Sequence, residues 1–132
     1  MIGDQFVLDT SAYSGFNRGD KRLKKWFHAD NQITVPLIVV GELRAGFSAG
    51  SMQKENEDLL QRFLDSSSVS TITITDKTTK LFAAIYYRLR KAGTPIGTND
   101  MWIAALALEH NKLLLTLDTD FSRVPDLLIA NI

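Results

Sequence analysis

The chain has 132 residues, of which 45% are hydrophobic and 23% charged, a composition that predicts one globular domain over residues 1–132 and argues against disorder. It contains no cysteine, which excludes disulfides, thiolate nucleophiles and cysteine-ligated zinc sites. Fifteen lysines and arginines balance fifteen acidic residues, so no global positive field attracts nucleic acid, although a local basic stripe is still compatible with such a partner.

The first half of the chain predicts two short strands, each followed by helical segments. QFVLD (5–9) is an apolar run ended by a polar cluster, as expected for a buried parallel strand. The polar stretch after it contains a possible helix at 23–27. QITV (32–35) predicts a second strand, and the proline of PLIVVGELRAGF (36–47) suits the first turn of a helix. Residues 52–65 have the apolar spacing of an amphipathic helix.

The middle of the chain predicts a strand and a long helix. VSTITITD (69–76) is β-branched and alternating, which favours a strand. Asp76 is a suitable N-cap for a helix over 77–92, and Gly93 is expected to end that helix.

The last third predicts one helix and two strands. Thr98 is the expected N-cap of a helix over 100–110, and KLLLTLD (112–118) and LLIANI (127–132) are expected strands. Single strands therefore alternate with pairs of helices along most of the chain. This order predicts an α/β fold with a parallel sheet covered by helices on both faces.

Three acids fall where such a sheet would bring them together. Asp9 ends the first strand and Asp118 ends the strand at 113–117, and parallel strands deliver their carboxyl ends to one rim. Asp100 occupies the first turn of a helix entered from that rim. The helix dipole explains an acid there, because it favours a carboxylate by about 0.3–1 kcal/mol. However, the apolar run 101–108 predicts that this helix is central to the domain.

Glu42 is harder to explain as an ordinary surface acid. Arg44 points about 160° away from it on a helix, and a buried carboxylate without a partner is costly. We therefore expect Glu42 to be turned toward the core, where an arginine, hydrogen-bond donors or a cation would compensate its charge. Its neighbours one helical turn away are apolar or small: Ile38, Val39, Ala45 and Gly46.

Convergence of these acids would favour a divalent cation. Two carboxylates about 4 Å apart repel by about 4 kcal/mol at an effective dielectric constant of 20. A cluster of four predicts Mg²⁺ or Mn²⁺, held by oxygen ligands and several waters. Such ions activate a water and stabilise charge on an attacked phosphate, which suits phosphoryl chemistry.

Other polar residues give weaker signals. Thr10, Ser11 and Thr116 adjoin the acids and could orient ligands or bind a metal water, or act only as cap and turn residues. His28 and His110 lack the spacing of a ligand pair or a general base, and His110 near a helix end suits the helix dipole.

Neither a secretory signal nor a membrane span is expected. The first residues, MIGDQFVLD, lack a basic region and a sufficiently long apolar run. No later segment approaches the roughly 18 uninterrupted apolar residues of a membrane span. A cytoplasmic protein is therefore the simplest expectation.

Four segments resemble the acidic motifs of a known family. VLDTSA, GEL, GTPIGTNDMWIAALAL and LLLTLDTDFSRVP look like the motifs of the PIN-domain ribonucleases, in particular the small VapC-type toxins of toxin–antitoxin pairs. They occur in the family's order at similar intervals, and the resemblance covers the whole chain. It implies a three-layer α/β/α sandwich around a mostly parallel sheet, and metal-dependent endonucleolytic cleavage of RNA by an activated water.

The resemblance implies four catalytic acids that bind Mg²⁺ or Mn²⁺: Asp9, Glu42, Asp100 and Asp118. Relatives vary at the fourth position, and Asp120 lies only two residues further on. We favour Asp118 because it directly follows the predicted strand, which leaves Asp120 a supporting or exposed position. Family members usually form homodimers and are blocked by a cognate antitoxin whose tail enters the acidic groove. The helices over 36–65 are the candidate docking surface.

Basic residues offer a path for RNA in a protein without net charge. Phosphate contacts must then come from local clusters, although a basic run is usually a solvated face. We expect Trp26, Phe27 and Trp102 to belong to the core rather than to stack on bases. The run that could contact RNA is Arg18, Lys21, Arg22, Lys24 and Lys25, and a smaller run is Arg88, Arg90 and Lys91.

Other protein classes fit less well. A haloacid dehalogenase-type phosphatase would use a DxD motif such as LDTDF (117–121), but only eleven residues follow it, too few for the rest of that fold. A response-regulator receiver needs a lysine at the end of its last strand, which LLIANI lacks. A non-toxin PIN nuclease and a catalytically silent RNA- or protein-binding module of the same fold stay open. The four intact acids argue against the silent module.

Overall fold

The computed structural model describes residues 3–132, in which four parallel strands form one sheet. The strands are β1 (Gln5–Leu8), β2 (Gln32–Pro36), β3 (Val69–Ile72) and β4 (Leu113–Leu115). The helices are α1 (Thr10–Asn17), α2 (Leu37–Ser48), α3 (Gln53–Leu64), α4 (Asp76–Ala92) and α5 (Thr98–Glu109), with 3₁₀ helices at Lys21–Phe27 and Thr119–Arg123. The predicted alternation of single strands with pairs of helices is confirmed.

The strand order β3–β2–β1–β4 reverses direction at β1. Phe6 of β1 lies opposite Ile33 of β2, and Val7 lies opposite Leu114 of β4. Parallel connections are right-handed, so the helices between β1, β2 and β3 lie on one face, and α4 and α5 lie on the other. This is the predicted α/β/α sandwich. In such a sheet the ligand crevice opens between the carboxyl ends of β1 and β4, where the order reverses.

Helix α5 is the most deeply buried helix of the described residues. Its side chains from 103 to 107 are fully buried, and the helix contacts α4, β1 and β4. The prediction that its apolar run makes it central is confirmed. None of the helices within residues 3–132 has the length and apolar character needed to cross a membrane.

The three aromatic residues expected in the core differ in burial. Trp26 is 8% exposed and meets the ring of Phe6 edge to face at 5.6 Å, which confirms its prediction. Phe27 and Trp102 are half-buried and stack on other aromatic rings at the margin of the core.

Three helices begin one residue away from where a simple capping pattern places them. Pro36, Thr75 and Gly97 have extended backbone and precede α2, α4 and α5 directly. The predicted caps Asp76 and Thr98 are therefore wrong, because each is the first residue of its helix. Thr75 takes the cap of α4 because its hydroxyl and that of the N3 residue form a reciprocal capping box. The predicted end of α4 at the left-handed Gly93 is confirmed.

The segment after β1 is more helical than its turn-forming residues indicate. Within α1, Gly15 fits because a Cβ there would lie 2.6 Å from Cδ1 of Leu117. The glycine thus allows a close approach between α1 and the chain after β4. The helix expected at 23–27 is confirmed as part of the 3₁₀ helix Lys21–Phe27.

Strand β4 ends at Leu115, earlier than predicted. The backbone N–H of Leu117 donates to Ser11 Oγ at 2.9 Å, and that of Asp118 donates to Thr116 Oγ1 at 2.9 Å. At this point side-chain hydroxyls, rather than the carbonyl groups of a neighbouring strand, therefore accept the backbone N–H groups. The expectation that Asp118 directly follows the strand is wrong, because two residues separate them.

Two further strand predictions need correction. β3 ends at Ile72 rather than at residue 76, because Thr75 is used to cap the next helix. The predicted strand over 127–132 is reduced to a single bridge between Leu114 and Ile129. β4 is only three residues long, so Leu114 alone can pair along its outer edge. The N–H and the C=O of Leu114 both form hydrogen bonds with this last segment of the chain.

Candidate active site

Asp9 directly follows β1 and is 4% exposed, the most buried acid of the described residues. It occupies the N-cap of α1, but its side chain makes no capping bond. Its Oδ2 atom instead accepts hydrogen bonds from Ser11 Oγ at 2.7 Å and from Thr116 Oγ1 at 2.8 Å. Both donors contact the same oxygen, so the carboxylate is held in one orientation and Oδ1 is the atom left to meet a ligand.

The two hydroxyls beside Asp9 form one network with the chain after β4. Ser11 Oγ and Thr116 Oγ1 lie 3.1 Å apart, and each also accepts a backbone N–H, from Leu117 and Asp118 respectively. Each hydroxyl thus donates to the carboxylate and accepts from the backbone. The structure brings Ser11 and Thr116 to Asp9, where residues that orient a ligand would lie.

Glu42 lies on α2 and is half-buried, rather than enclosed in the core as expected. The buried side of α2 is formed by Val39, Val40 and Leu43, and Glu42 sits at its margin. Thr10 Oγ1 donates to Glu42 Oε1 at 2.7 Å, so the first residue of α1 fixes this carboxylate. Glu42 also lines a cavity of about 350 Å³ together with the loop and first turn that carry Asp100.

Asp100 occupies the third position of α5 and is half-buried. Burial raises the pKa of its carboxyl group from 3.8 to about 6, with a further contribution from nearby negative charges. The acids responsible, in decreasing order of effect, are Asp9, Asp118, Glu42 and Asp120. The structure therefore brings the four predicted acids, and the neighbouring Asp120, within electrostatic reach of one another.

The loop after β4 distinguishes Asp118 from Asp120. Asp118 caps the following 3₁₀ helix, and its Oδ1 accepts the N–H of Asp120 at 2.9 Å. Asp120 Oδ1 lies 3.4 Å from Nη2 of Arg123, whereas Asp118 has no ion pair within residues 3–132 and acts more strongly on Asp100. These contacts favour Asp118 as the fourth acid.

The contacts of Arg123 were not predicted from the sequence. Besides Asp120, it donates from Nη1 to the backbone oxygen of Pro95 at 3.1 Å. It thereby links the loop after β4 to the loop that enters α5. Nothing in its local sequence separates it from an ordinary surface arginine.

The negative charge of the site is not neutralised by the protein. Within residues 3–132, none of the salt bridges involves Asp9, Glu42, Asp100 or Asp118. Over the same residues, no three His, Asp or Glu side chains are arranged so that they could hold a metal ion together. Mg²⁺ is commonly bound through one or two carboxylates and several waters. The donor set therefore fits a hydrated divalent cation better than a fully protein-ligated one.

Two members of the basic run expected to contact RNA line different cavities. Arg22 pairs with Asp20 at 2.7 Å and lines a cavity that also includes Asp118. Lys25 lines a different cavity with Asp4, at the amino ends of the strands. The other members of the run are exposed: Arg18, Lys21 and Lys24.

The comparison with known proteins agrees with this architecture. A family model of the PIN domain matches residues 6–127. The chain belongs to the PIN-domain family. This PIN domain is 32% identical over 103 residues to ribonuclease VapC2 of Rickettsia felis, covering 77% of this chain and 75% of that protein. It is 29% identical over 126 residues to ribonuclease VapC4 of Mycobacterium tuberculosis, covering 96% and 95%.

Solved structures show the same PIN fold. The chain matches VapBC2 of Rickettsia felis, crystallised with a DNA fragment from its promoter, with a TM-score of 0.84 and 27% identity, over 96% of this chain and 98% of that one. VapBC-1 of nontypeable Haemophilus influenzae gives a TM-score of 0.83 at 21% identity, over 96% and 97%. The predicted PIN-like fold is confirmed.

Proposed function

We propose that this PIN domain is a metal-dependent endoribonuclease that hydrolyses RNA phosphodiester bonds and acts as the toxin of a toxin–antitoxin pair. The observation that carries the proposal is the convergence of the acids on the first turn of α5, where burial and the charges of the neighbouring carboxylates raise the pKa of Asp100 to about 6. These carboxylates lie where the strand order reverses, the expected place for a ligand. Family membership and two relatives named as ribonucleases support the class of reaction.

The residues proposed to hold the cation, Mg²⁺ or Mn²⁺, directly or through its bound waters, are Asp9, Glu42, Asp100 and Asp118. When bound, such an ion supplies an activated water and stabilises charge on the attacked phosphate. The fit rests on the donor chemistry, because these carboxylates repel one another and no lysine or arginine within residues 3–132 pairs with them. A cation would relieve that repulsion.

The remaining polar residues position the acids. Ser11 and Thr116 hold Asp9 through Oδ2, and Thr10 holds Glu42 through Oε1. The buried part of α5 fixes the backbone of the turn that carries Asp100. Asp120, two residues beyond Asp118, is a supporting acid paired with Arg123.

The proposed partners are an RNA substrate, a cognate antitoxin and a second copy of the chain. Several matching solved structures are VapBC assemblies, including one described as a member of a family of toxin–antitoxin systems from Mycobacterium tuberculosis. The candidate antitoxin surface, residues 36–65, exposes the large apolar side chains of Leu37, Met52 and Leu59. Exposed apolar groups of this kind suit a protein interface.

The test of the proposed reaction is cleavage of total cellular RNA by the purified protein, with mapping of the new ends. We expect discrete cleavage sites with Mg²⁺ or Mn²⁺, none with EDTA, and none with Asp9→Asn. Cleavage by Asp9→Asn at the wild-type rate would contradict the proposed nuclease function of this site. Absence of any cleavage by the wild-type protein would favour the silent binding module.

A second experiment separates a toxin from a non-toxin nuclease. Expression of the wild-type chain should arrest bacterial growth, and co-expression of a small protein encoded beside it should restore growth. Asp9→Asn, expressed to the same level, should not arrest growth. Growth that is unaffected by an active nuclease would favour the non-toxin alternative.

A further inference from the structure

A second cavity of about 350 Å³ adjoins the acidic cleft. Tyr86 and Arg90 of α4 line it, together with Thr98 at the start of α5 and several apolar side chains. Thr98 also lines the cleft that contains Glu42 and Asp100, so the two cavities share a wall. Arg90 is the only charged residue among those that line the second cavity.

The aromatic side chain of Tyr86 lines this cavity. Its side chain remains 44% exposed, and its ring stacks at 6.3 Å on Phe82, one helical turn earlier. Phe82 in turn stacks at 3.8 Å on Trp102 of α5. Arg90, one turn later, donates from Nη1 to the Tyr86 hydroxyl at 2.9 Å. The guanidinium carbon of Arg90 also lies 5.9 Å from the centroid of the Tyr86 ring, so Phe82 and Arg90 together hold the ring in place.

The charge beside this ring suits a polyanion. Arg90 forms no ion pair within residues 3–132, whereas the nearby Arg88 pairs with Asp126 at 3.5 Å. Single-stranded nucleic acids bind where aromatic faces for their bases lie beside cations for their phosphates. An acidic peptide would meet the same arginine but has no bases to stack on the neighbouring ring, so the pairing of ring and arginine favours a nucleic acid.

Building on the proposed nuclease function, we propose that the Tyr86–Arg90 cavity is a nucleotide subsite of the same active site. A base of single-stranded RNA stacks on the Tyr86 ring, Arg90 contacts a phosphate beside it, and the chain continues past Thr98 to the acidic cleft. Every base has an aromatic face, so this subsite selects unpaired RNA rather than one particular base. It extends the RNA path to the smaller basic run, on α4.

The test measures binding of a short single-stranded RNA containing 2-aminopurine by Asp100→Asn protein, in which cleavage is blocked. Removing the ring with Tyr86→Ala should weaken binding by about 5- to 150-fold and restore the 2-aminopurine fluorescence that stacking quenches. Tyr86→Phe, which keeps the ring, should bind as tightly as the parent protein. Arg90→Gln should weaken binding and reduce its salt dependence.

Tyr87→Ala is the matched control. Tyr87 is 63% exposed and lies 5.8 Å from a lysine, but it does not line the cavity. Equal effects of Tyr86→Ala and Tyr87→Ala, or no effect of either, would overturn the subsite. Sedimentation would show whether Tyr86→Ala self-associates less than the parent protein. Reduced self-association with an unchanged RNA affinity per chain would overturn the subsite and indicate an interface with a second copy.

The experiments distinguish an error in the proposed subsite from an error in the proposed nuclease function. If the wild-type protein cleaves no RNA but Tyr86→Ala still weakens RNA binding, the binding site stands and the nuclease function falls. If the wild-type protein cleaves RNA and Tyr86→Ala binds like Tyr87→Ala, the nuclease function stands and the subsite falls.

Discussion

Thr116 Oγ1 donates a 2.8 Å hydrogen bond to Oδ2 of Asp9, which joins the chain leaving β4 to the chain leaving β1. The two residues are 107 positions apart and both are buried. Hydrogen bonds to a charged group in such surroundings are stronger than neutral ones. This contact therefore fixes the most buried acid of the site to the neighbouring strand.

Thr116→Val removes that donor and also the acceptor of the Asp118 N–H. We expect the free energy of unfolding to fall by about 1–3 kcal/mol, because buried polar groups lose their partners. The RNA cleavage rate should fall as well, since Asp9 is no longer held. Urea unfolding and a cleavage assay measure both effects. Thr116→Ser should retain wild-type behaviour, as should the exposed control Thr119→Val; a Thr116→Val protein indistinguishable from wild type would contradict the orienting role.

Thr10→Val tests the fixing of Glu42. The hydroxyl of Thr10 is its hydrogen-bond partner at 2.7 Å, and Glu42 is half-buried. We expect a higher Mn²⁺ concentration for half-maximal cleavage and little change in stability, because the freed carboxylate still reaches water. The control is Thr79→Val, the same change in the first turn of α4, where the hydroxyl bonds only to the backbone. An unchanged Mn²⁺ requirement in Thr10→Val would argue against this role.

The raised pKa of Asp100 predicts how stability of the metal-free protein depends on pH. Between its ordinary value of 3.8 and about 6, the folded protein binds more protons at this carboxyl group than the unfolded chain does. Ionisation of Asp100 therefore lowers the free energy of unfolding as pH rises through this window, and the full loss is present above it. Thermal unfolding in EDTA should show Asp100→Asn gaining stability over wild type as pH rises from about 4 to 7.

The control for this pH series is Asp76→Asn. Asp76 also lies in the first turn of a helix, at the start of α4, but its side chain is 88% exposed and lies 3.7 Å from the ammonium group of Lys80. There the helix dipole favours a negative charge, so its removal should lower stability slightly. A constant stability difference between Asp100→Asn and wild type across the window would contradict the predicted repulsion.

The sequence predicted the position of the acids better than the details that hold them. Asp9 and Asp118 follow apolar strands, and parallel strands bring such residues to one rim. The apolar run after Asp100 predicted a central helix. The early end of β4 was not predictable from strand propensity. It depends on the hydroxyls of Ser11 and Thr116, which accept backbone N–H groups that a longer strand would use in the sheet.

Contacts between distant segments account for the rest. The bond from Thr10 to Glu42 and the bridge from Arg123 to Pro95 depend on how helices and loops meet in three dimensions. The cavity beside Tyr86 likewise depends on the packing of α4 against α5. Local residue patterns carry no information on these approaches.

The central claim is that the four carboxylates act together in divalent-metal-dependent cleavage of RNA. It is tested most directly by the initial cleavage rate of one labelled single-stranded RNA as the Mn²⁺ concentration is raised, with wild type, Asp100→Asn and Asp76→Asn compared. We predict metal-dependent cleavage by wild type and Asp76→Asn, and no cleavage by Asp100→Asn at any Mn²⁺ concentration. Cleavage by Asp100→Asn at the wild-type rate, or wild-type cleavage that persists in EDTA, would contradict the claim.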